Sequence, residues 1–392
     1  MEAICLKEKC TGCTACMNVC AHHAISMQPD ACGFSYPQIN QNACVDCGLC
    51  KKTCPVNNPL PLESIKDCYA VTVKDEEELL SCSSGGAATA ISQYVIRQGG
   101  VVYGCSGTNP RDVCHISVDT LDGIDHLKGS KYVQSDLGEC FTQIKADLGR
   151  LPIVLFIGTP CQVAGLKNFL HKDYSNLITI DLVCHGVPSQ KMLNDNLNYY
   201  CSDDEDVELS FRRKNTKLKS PIIQYGWIVN KAHKDEETFK PYNKDYYMFG
   251  FLKSLIHRKN CYSCPYAQNQ RVGDLTLCDF WGLQPDAGFS IGKGVSAVLI
   301  NTSKGDELFG HLKDYLVWKQ RKVSEAIRWN GQLNHPCEMP KNYDRFIQLY
   351  SGVSFKKAMI KAYWGTFIYD YYSLIKNKIK TFLHKYKVCK FL

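Results

Sequence analysis

The feature that most limits what this chain can fold into is a doubled run of cysteines near its start. Cys10-Thr-Gly-Cys13-Thr-Ala-Cys16-Met-Asn-Val-Cys20 is followed by Cys44-Val-Asp-Cys47-Gly-Leu-Cys50-Lys-Lys-Thr-Cys54-Pro55. Both halves have the spacing C-x2-C-x2-C-x3-C, the bacterial pattern for two 4Fe–4S clusters, in which the fourth cysteine of each run serves the other cluster. The pattern assigns Cys10, Cys13, Cys16 and Cys54 to one cluster, and Cys44, Cys47, Cys50 and Cys20 to a second. Two-residue gaps let three thiolates wrap one cube, and the crossed fourth ligand ties the halves into one small body. Gly12 and Gly48 relieve crowding where the backbone turns close to inorganic sulfur. A pair of zinc knuckles is the plain alternative, but zinc ligands come in two pairs, whereas these come in four even steps, twice. One departure is Ala21 after Cys20, where such runs usually have Pro.

At 392 residues the chain is long enough for two to three domains and a sizeable core. It has 23 cysteines, here at ligand rather than disulfide-framework spacing. No apolar targeting stretch precedes the first motif, and no apolar run approaches the ~20 residues of a membrane span. The expectation is a cytoplasmic protein of a reducing, oxygen-poor cell. The formal charge of +7 is local: Phe355–Leu392 holds nine Lys and one Asp, which leaves 37 basic and 38 acidic residues elsewhere. The body therefore gives no sign of nucleic-acid binding.

Residues 1–58 read as the ferredoxin-like module, with short strands at 24–27 and 34–36, and the three prolines between Pro55 and Pro61 read as a linker. Beyond it, apolar runs at 68–73, 101–103, 152–157, 177–183, 275–280 and 296–300 predict buried strands. Apolar spacing predicts helices over 87–98, through Leu137, Phe141, Ile144 and Leu148, and through Val163, Leu166 and Leu170. The last of these opens on Thr159-Pro160-Cys161-Gln162, an N-cap, a first-turn proline and a capping-box glutamine. Arg212-Arg-Lys214 and Gly226-Trp227 suggest an antiparallel region. The fold class expected is α+β or α/β: a small dicluster module, a mixed α/β domain and a C-terminal helical tail.

Two buried strands run into cysteines, Cys161 and Cys184, and parallel strands present ligands at their carboxyl ends. Cys261-x-x-Cys264 adds two sulfurs at ligand spacing. Together the four could hold a third 4Fe–4S cluster. Two other readings stand beside it: Cys161, at a helix start that favours thiolate, as a nucleophile with His185 as base, or plain core cysteines. Ser83-Ser84-Gly85-Gly86, between a strand and a helix, could offer backbone N–H groups to a phosphate, with Lys131 adding charge; small residues there could equally serve tight packing.

With these residues placed, the chain resembles the beta-subunit family of coenzyme F420 hydrogenases and dehydrogenases, which includes ferredoxin-type reductases such as 7-hydroxymethyl chlorophyll a reductase. The shared stretches are Ser83–Gly86, Gly129-Ser-Lys-Tyr-Val-Gln-Ser135, Gly158-Thr-Pro-Cys-Gln-Val-Ala-Gly-Leu166, Cys184-His-Gly-Val-Pro188, Cys261-x-x-Cys264 and Asp279-Phe-Trp-Gly282. The resemblance implies a two-part catalytic domain over 68–150 and 151–325, FAD beside a third cluster on Cys161, Cys184, Cys261 and Cys264, and flavin contacts at Ser83, Ser84, Gly85, Gly86 and Lys131. Cys82 and Cys278 depart from the family pattern; Cys278 could compete as a ligand. The implied activity is electron exchange between a ferredoxin-like partner and a two-electron substrate such as a deazaflavin. The alternative is an electron-transfer subunit serving a larger complex or a pathway such as surface-polysaccharide assembly. In the tail over 340–392, Trp364, Phe367, Ile368, Tyr371, Tyr372 and Ile375 recur at helical spacing, with Lys at 376, 378, 380, 385, 387 and 390. This suits a basic amphipathic helix on an anionic membrane or an acidic partner, or an ordinary surface helix.

Overall fold

A computed structural model describes residues 3–202, 205–215, 222–231, 236–284 and 287–389. The chain divides into two units, Met1–Met339 and Pro340–Leu392. The first is built on one eight-stranded sheet. Its strands lie in the order Leu316–Arg321, Asp67–Val73, Ser296–Ile300, Leu275–Asp279, Leu177–Leu182, Val154–Gly158, Val101–Ser106 and Cys114–Val118. Leu275–Asp279, Leu177–Leu182, Val154–Gly158 and Val101–Ser106 run parallel, and the remaining pairings are antiparallel.

The middle strands read as unbroken apolar runs because both faces are covered. On one face Leu155, Ile178 and Ile180 meet helices Ala87–Arg97 and Ser303–Leu312 through Ile91, Val95, Leu308 and Phe309. On the other, Val154 and Phe156 meet helices Cys140–Asp147 and Pro160–Leu170 through Phe141, Ile144, Val163 and Leu166. The edge strands Cys114–Val118 and Leu316–Arg321 escaped sequence reading. The second buries only Leu316 and otherwise shows exposed or half-exposed side chains, so it carries no apolar pattern. A three-stranded antiparallel sheet, Val207–Asn215, Ile222–Lys231 and Glu236–Pro241, stands apart, irregular between Tyr225 and Ile228.

The N-terminal module contains the hairpin Ile25–Pro29 with Ser35–Ile39 and short helices Ala15–Asn18 and Leu49–Thr53. It docks where helix Pro160–Leu170 is narrowest: a Cβ on Gly165 would sit 2.9 Å from Cys13 Sγ. The glycine is the reason the two can touch.

The second unit has helix Tyr343–Tyr350 and a helical stretch Phe355–Cys389 that breaks regularity at Tyr363, φ −122°. Phe346 packs with Tyr350, Phe355 and Tyr363 inside it. The side chains of Ile375, Lys378, Lys380, Lys385 and Lys387, and the whole of Lys390, lie outside the described residues. Among the described residues no helix is long and apolar enough to cross a membrane.

Candidate metal centres

The two cysteine runs fold alike. In each, the residues on both sides of the second cysteine are left-handed: Gly12 and Thr14 (φ 69° and 58°), Asp46 and Gly48 (φ 54° and 72°). Left-handed backbone is uncommon outside glycine. Its repetition at matching positions, twice without glycine, marks a turn imposed by bringing three thiols to one point.

Cys10, Cys13, Cys16 and Cys54 line one cavity, of about 330 Å³. Cys5 lines it too, its thiol hydrogen-bonded to those of Cys10 and Cys54. That bond pushes the Cys5 thiol up and pulls Cys10 down to about 6. Burial pushes Cys13 up to about 12. Of Cys20, Cys44, Cys47 and Cys50, Cys47 is exposed and Cys50 buried, and Cys50 lies in the electrostatic field of Cys20 and Cys47.

Cys161, Cys184, Cys261 and Cys264 line a second cavity, of about 470 Å³. Val154–Gly158 and Leu177–Leu182 are parallel neighbours, with Gly158 opposite Asp181, so their carboxyl ends deliver Cys161 and Cys184 to one edge. The capping box is present at Thr159 and Gln162. The Cys261–Cys264 loop is tied down by two arginines. The Arg258 amide donates to Val187 O at 2.8 Å, and the Cys261 amide donates to Arg258 O at 2.9 Å. The Arg271 guanidinium pairs with Asp181 at 2.7 Å, both essentially fully buried, and donates to Tyr266 O at 2.9 Å. Thr11 lines both cavities, so one side chain stands between them.

The helix start does not make Cys161 a thiolate. Burial pushes its thiol up, outweighing Thr159 Oγ1 at 3.2 Å and the charge of Arg258. Burial also pushes Cys184 up to about 12 and Cys264 to about 11. His185 shares a 3.2 Å hydrogen bond with Ser254 Oγ. Burial at these thiols favours the neutral form, and a cationic group bound among them would favour the thiolate. Tetrahedral zinc would gather its sulfurs to about 3.8 Å of each other. Among the described residues no three His, Cys, Asp or Glu side chains converge that way on a single ion. The donor set, four thiols or more around each space, fits an iron–sulfur cube.

Sequence reading missed Cys337, a fifth cysteine lining the second cavity. It lies 3.6 Å from His257 Nδ1 and donates toward Cys261 O at 3.9 Å. No ligand spacing flags it. Cys278 is a core cysteine: it packs with Cys68 and Phe280 on one face of its strand and does not line either cavity. Cys82 shares a 3.3 Å hydrogen bond with Thr89 Oγ1.

The Ser83–Gly86 turn is partly spent on the fold. The Gly85 amide donates to Ser296 Oγ at 3.0 Å, and a Cβ on Gly85 would meet Val71 O at 2.2 Å. Gly86, left-handed at φ 84°, caps helix Ala87–Arg97 with no side chain, leaving the helix start bare. Lys131 is half-buried and donates to Leu127 O and Lys128 O at 2.7 and 2.8 Å; among the described residues no hydrogen bond joins it to the turn. The cation on the turn is Lys214, which donates to Ser84 O at 2.7 Å and to Leu79 O. Burial pushes both lysines down to about 8.

Residues 9–58 match the 4Fe-4S dicluster domain. Residues 152–325 match the family model for the C-terminal part of the beta subunit of coenzyme F420 hydrogenase/dehydrogenase. The chain thus joins a 4Fe-4S dicluster domain to a C-terminal domain similar to that of the coenzyme F420 hydrogenase/dehydrogenase beta subunit. The family match ends before Cys337 and begins beyond the Ser83–Gly86 turn and Lys131. No curated protein matches the chain. Among solved structures it is similar to a chain of the F420-reducing NiFe hydrogenase complex from Methanosarcina barkeri. They are 17% identical with a TM-score of 0.45, over 76% of this chain and 92% of that one. An iron–sulfur, oxidoreductase-type function follows from the two domain matches.

Proposed function

We propose that the chain is an iron–sulfur flavoprotein oxidoreductase that links a ferredoxin-like redox partner to a small two-electron substrate, of which a deazaflavin is one. The observation that carries this reading is the order of the thiol sets. Cys47 is exposed, Cys13 touches the helix that bears Cys161, and Thr11 lines both cavities. When bound, three 4Fe–4S clusters supply one-electron steps, and FAD joins them to hydride exchange. Cys10, Cys13, Cys16 and Cys54 would hold one cluster, Cys20, Cys44, Cys47 and Cys50 the outer one, and Cys161, Cys184, Cys261 and Cys264 the third. The chain's own contribution is to bury Cys10, Cys13 and Cys54 and to hold the Cys161 set half-buried. For the flavin, the supporting observation is a pair of half-buried lysines, Lys131 and Lys214, bonded only to carbonyl oxygens among the described residues. A half-buried ammonium short of an anion suits a pyrophosphate. Ser83, Ser84 and Gly86 would lie against that anion with the bare helix start; Gly85 would act through packing. A cytoplasmic setting is part of this reading.

The second reading is an electron-transfer subunit with no substrate site of its own. It is favoured by the Gly85 amide, already taken by Ser296 Oγ. Anaerobic reconstitution separates the two. The enzyme reading expects about twelve irons and one flavin per chain, and about eight irons without flavin supports the relay.

A further inference from the structure

Arg258 is fully buried, yet among the described residues no carboxylate pairs with its guanidinium. Its partners are neutral: Nε donates to Cys10 O at 2.8 Å, Nη1 to Gln134 Oε1 at 3.1 Å and Nη2 to Ser35 O at 2.9 Å. The Tyr36 ring lies below it, 4.2 Å to the centroid. A buried cation held only by carbonyls and a ring is costly unless negative charge stands nearby. The backbone of Arg258 shows where that charge is. It holds Val187, three residues beyond Cys184, and the amide of Cys261, while the side chain reaches back to Cys10. One residue thus bridges the thiol set of the ferredoxin-like module and the set of the α/β domain.

We infer that Arg258 is the shared electrostatic counter-charge of the two inner clusters, raising the reduction potentials of both and holding them close together. The inference rests on the three-cluster reading given above. Reduction adds an electron to a group that is already anionic with its four thiolates. A fixed cation at the boundary favours the reduced form, so removing it lowers the potential. Arg258 does this from a position between the two inner sets, reaching Cys10 O with its side chain and Cys261 N with its backbone. Arg258 is a positioning and tuning residue here, not a ligand.

The experiment is an anaerobic redox titration of the reconstituted full-length protein, followed by electron paramagnetic resonance. In Arg258→Gln the two inner clusters are expected to become at least about tenfold harder to reduce, 59 mV for a one-electron couple, with the outer one unmoved. Arg258→Lys keeps the charge and should shift less than half as far. If Arg258→Gln fails to load iron, Gln134→Glu places a carboxylate on Nη1 without changing shape, and should lower the same potentials. Full iron with unmoved potentials, or an equal shift in all three clusters, overturns the inference. A wild-type protein with only two clusters would instead defeat the three-cluster reading, and a shift confined to the Cys10 cluster would still uphold the role of Arg258 there.

Discussion

Cys161 and Cys337 line the same cavity by different routes. Cys161 is set by a strand end and a capped helix, while Cys337 leans on His257 and the carbonyl of Cys261. A cube takes four protein ligands, and the strand ends with the C-x-x-C pair already supply four. Cys161→Ser is therefore expected to lower bound iron from about twelve to about eight per chain, and Cys337→Ser to leave it unchanged. Colorimetric iron assay of the two variants checks this, and iron loss in Cys337→Ser would show that the fifth thiol is the ligand. Arg271 and Asp181 form the tightest ion pair behind the site. Asp181 also accepts from Gly273 N at 2.8 Å and Thr276 Oγ1 at 2.7 Å. Asp181→Ala strands a buried guanidinium and should cost about 3–5 kcal/mol, read as a lower thermal midpoint. Ligand cysteines were legible in the sequence because clusters demand regular spacing. Cys337, Arg258 and Lys214 were not, because each reaches its site from a distant segment and carries no local pattern.

Elements repeat the same contrast. Helix Pro160–Leu170 could be bounded in advance, since Thr159, Pro160 and Gln162 write its start in local chemistry. The parallel strands were equally plain, because burial on both faces leaves only apolar residues. The strand Cys114–Val118 was hidden because its side chains are mostly half-buried at the sheet margin. The tail helix is a different case. After the break at Tyr363, Trp364, Ile368, Tyr371 and Tyr372 fall at i, i+4, i+7 and i+8, and all are exposed, Tyr372 at 72%. A single apolar and aromatic stripe followed by six lysines suits a helix lying in an anionic bilayer surface, at about 1 kcal/mol per lysine. Full-length protein should float with phosphatidylglycerol vesicles and less so with neutral ones. A chain lacking residues 376–392 should stay in the pellet fraction. Unchanged flotation after the deletion would remove the membrane from the account and leave an acidic protein partner or plain packing.

At the scale of the first unit, the outer set holds the exposed Cys47, while Cys10, Cys13 and Cys54 are buried and the Cys161 set is half-buried, so the outer end is where a protein partner is expected. The outer end carries Cys47 in the open, Gly48 with no neighbouring atom within 4 Å of its Cβ position, and the exposed apolar side chains of Val45 and Leu49. Lys51 and Lys52 stand beside them, both exposed. Apolar centres ringed by charge are how transient redox partners are recognised, and an acidic ferredoxin complements this rim. The inner cavities offer no such surface, because Thr11 and Arg258 are buried between the module and the α/β domain. Exchange with a protein donor and exchange with a small molecule should therefore separate by position. Val45→Glu with Leu49→Glu is expected to slow reduction by an acidic ferredoxin by about tenfold or more, 1.4 kcal/mol of lost contact. Reduction by dithionite should keep its rate, since a small dianion needs no docking patch. Stopped-flow measurements with the two donors read both rates on one preparation. Equal slowing with both would mean that the substitutions damage the outer cluster itself, and no slowing with either would move partner docking to another face.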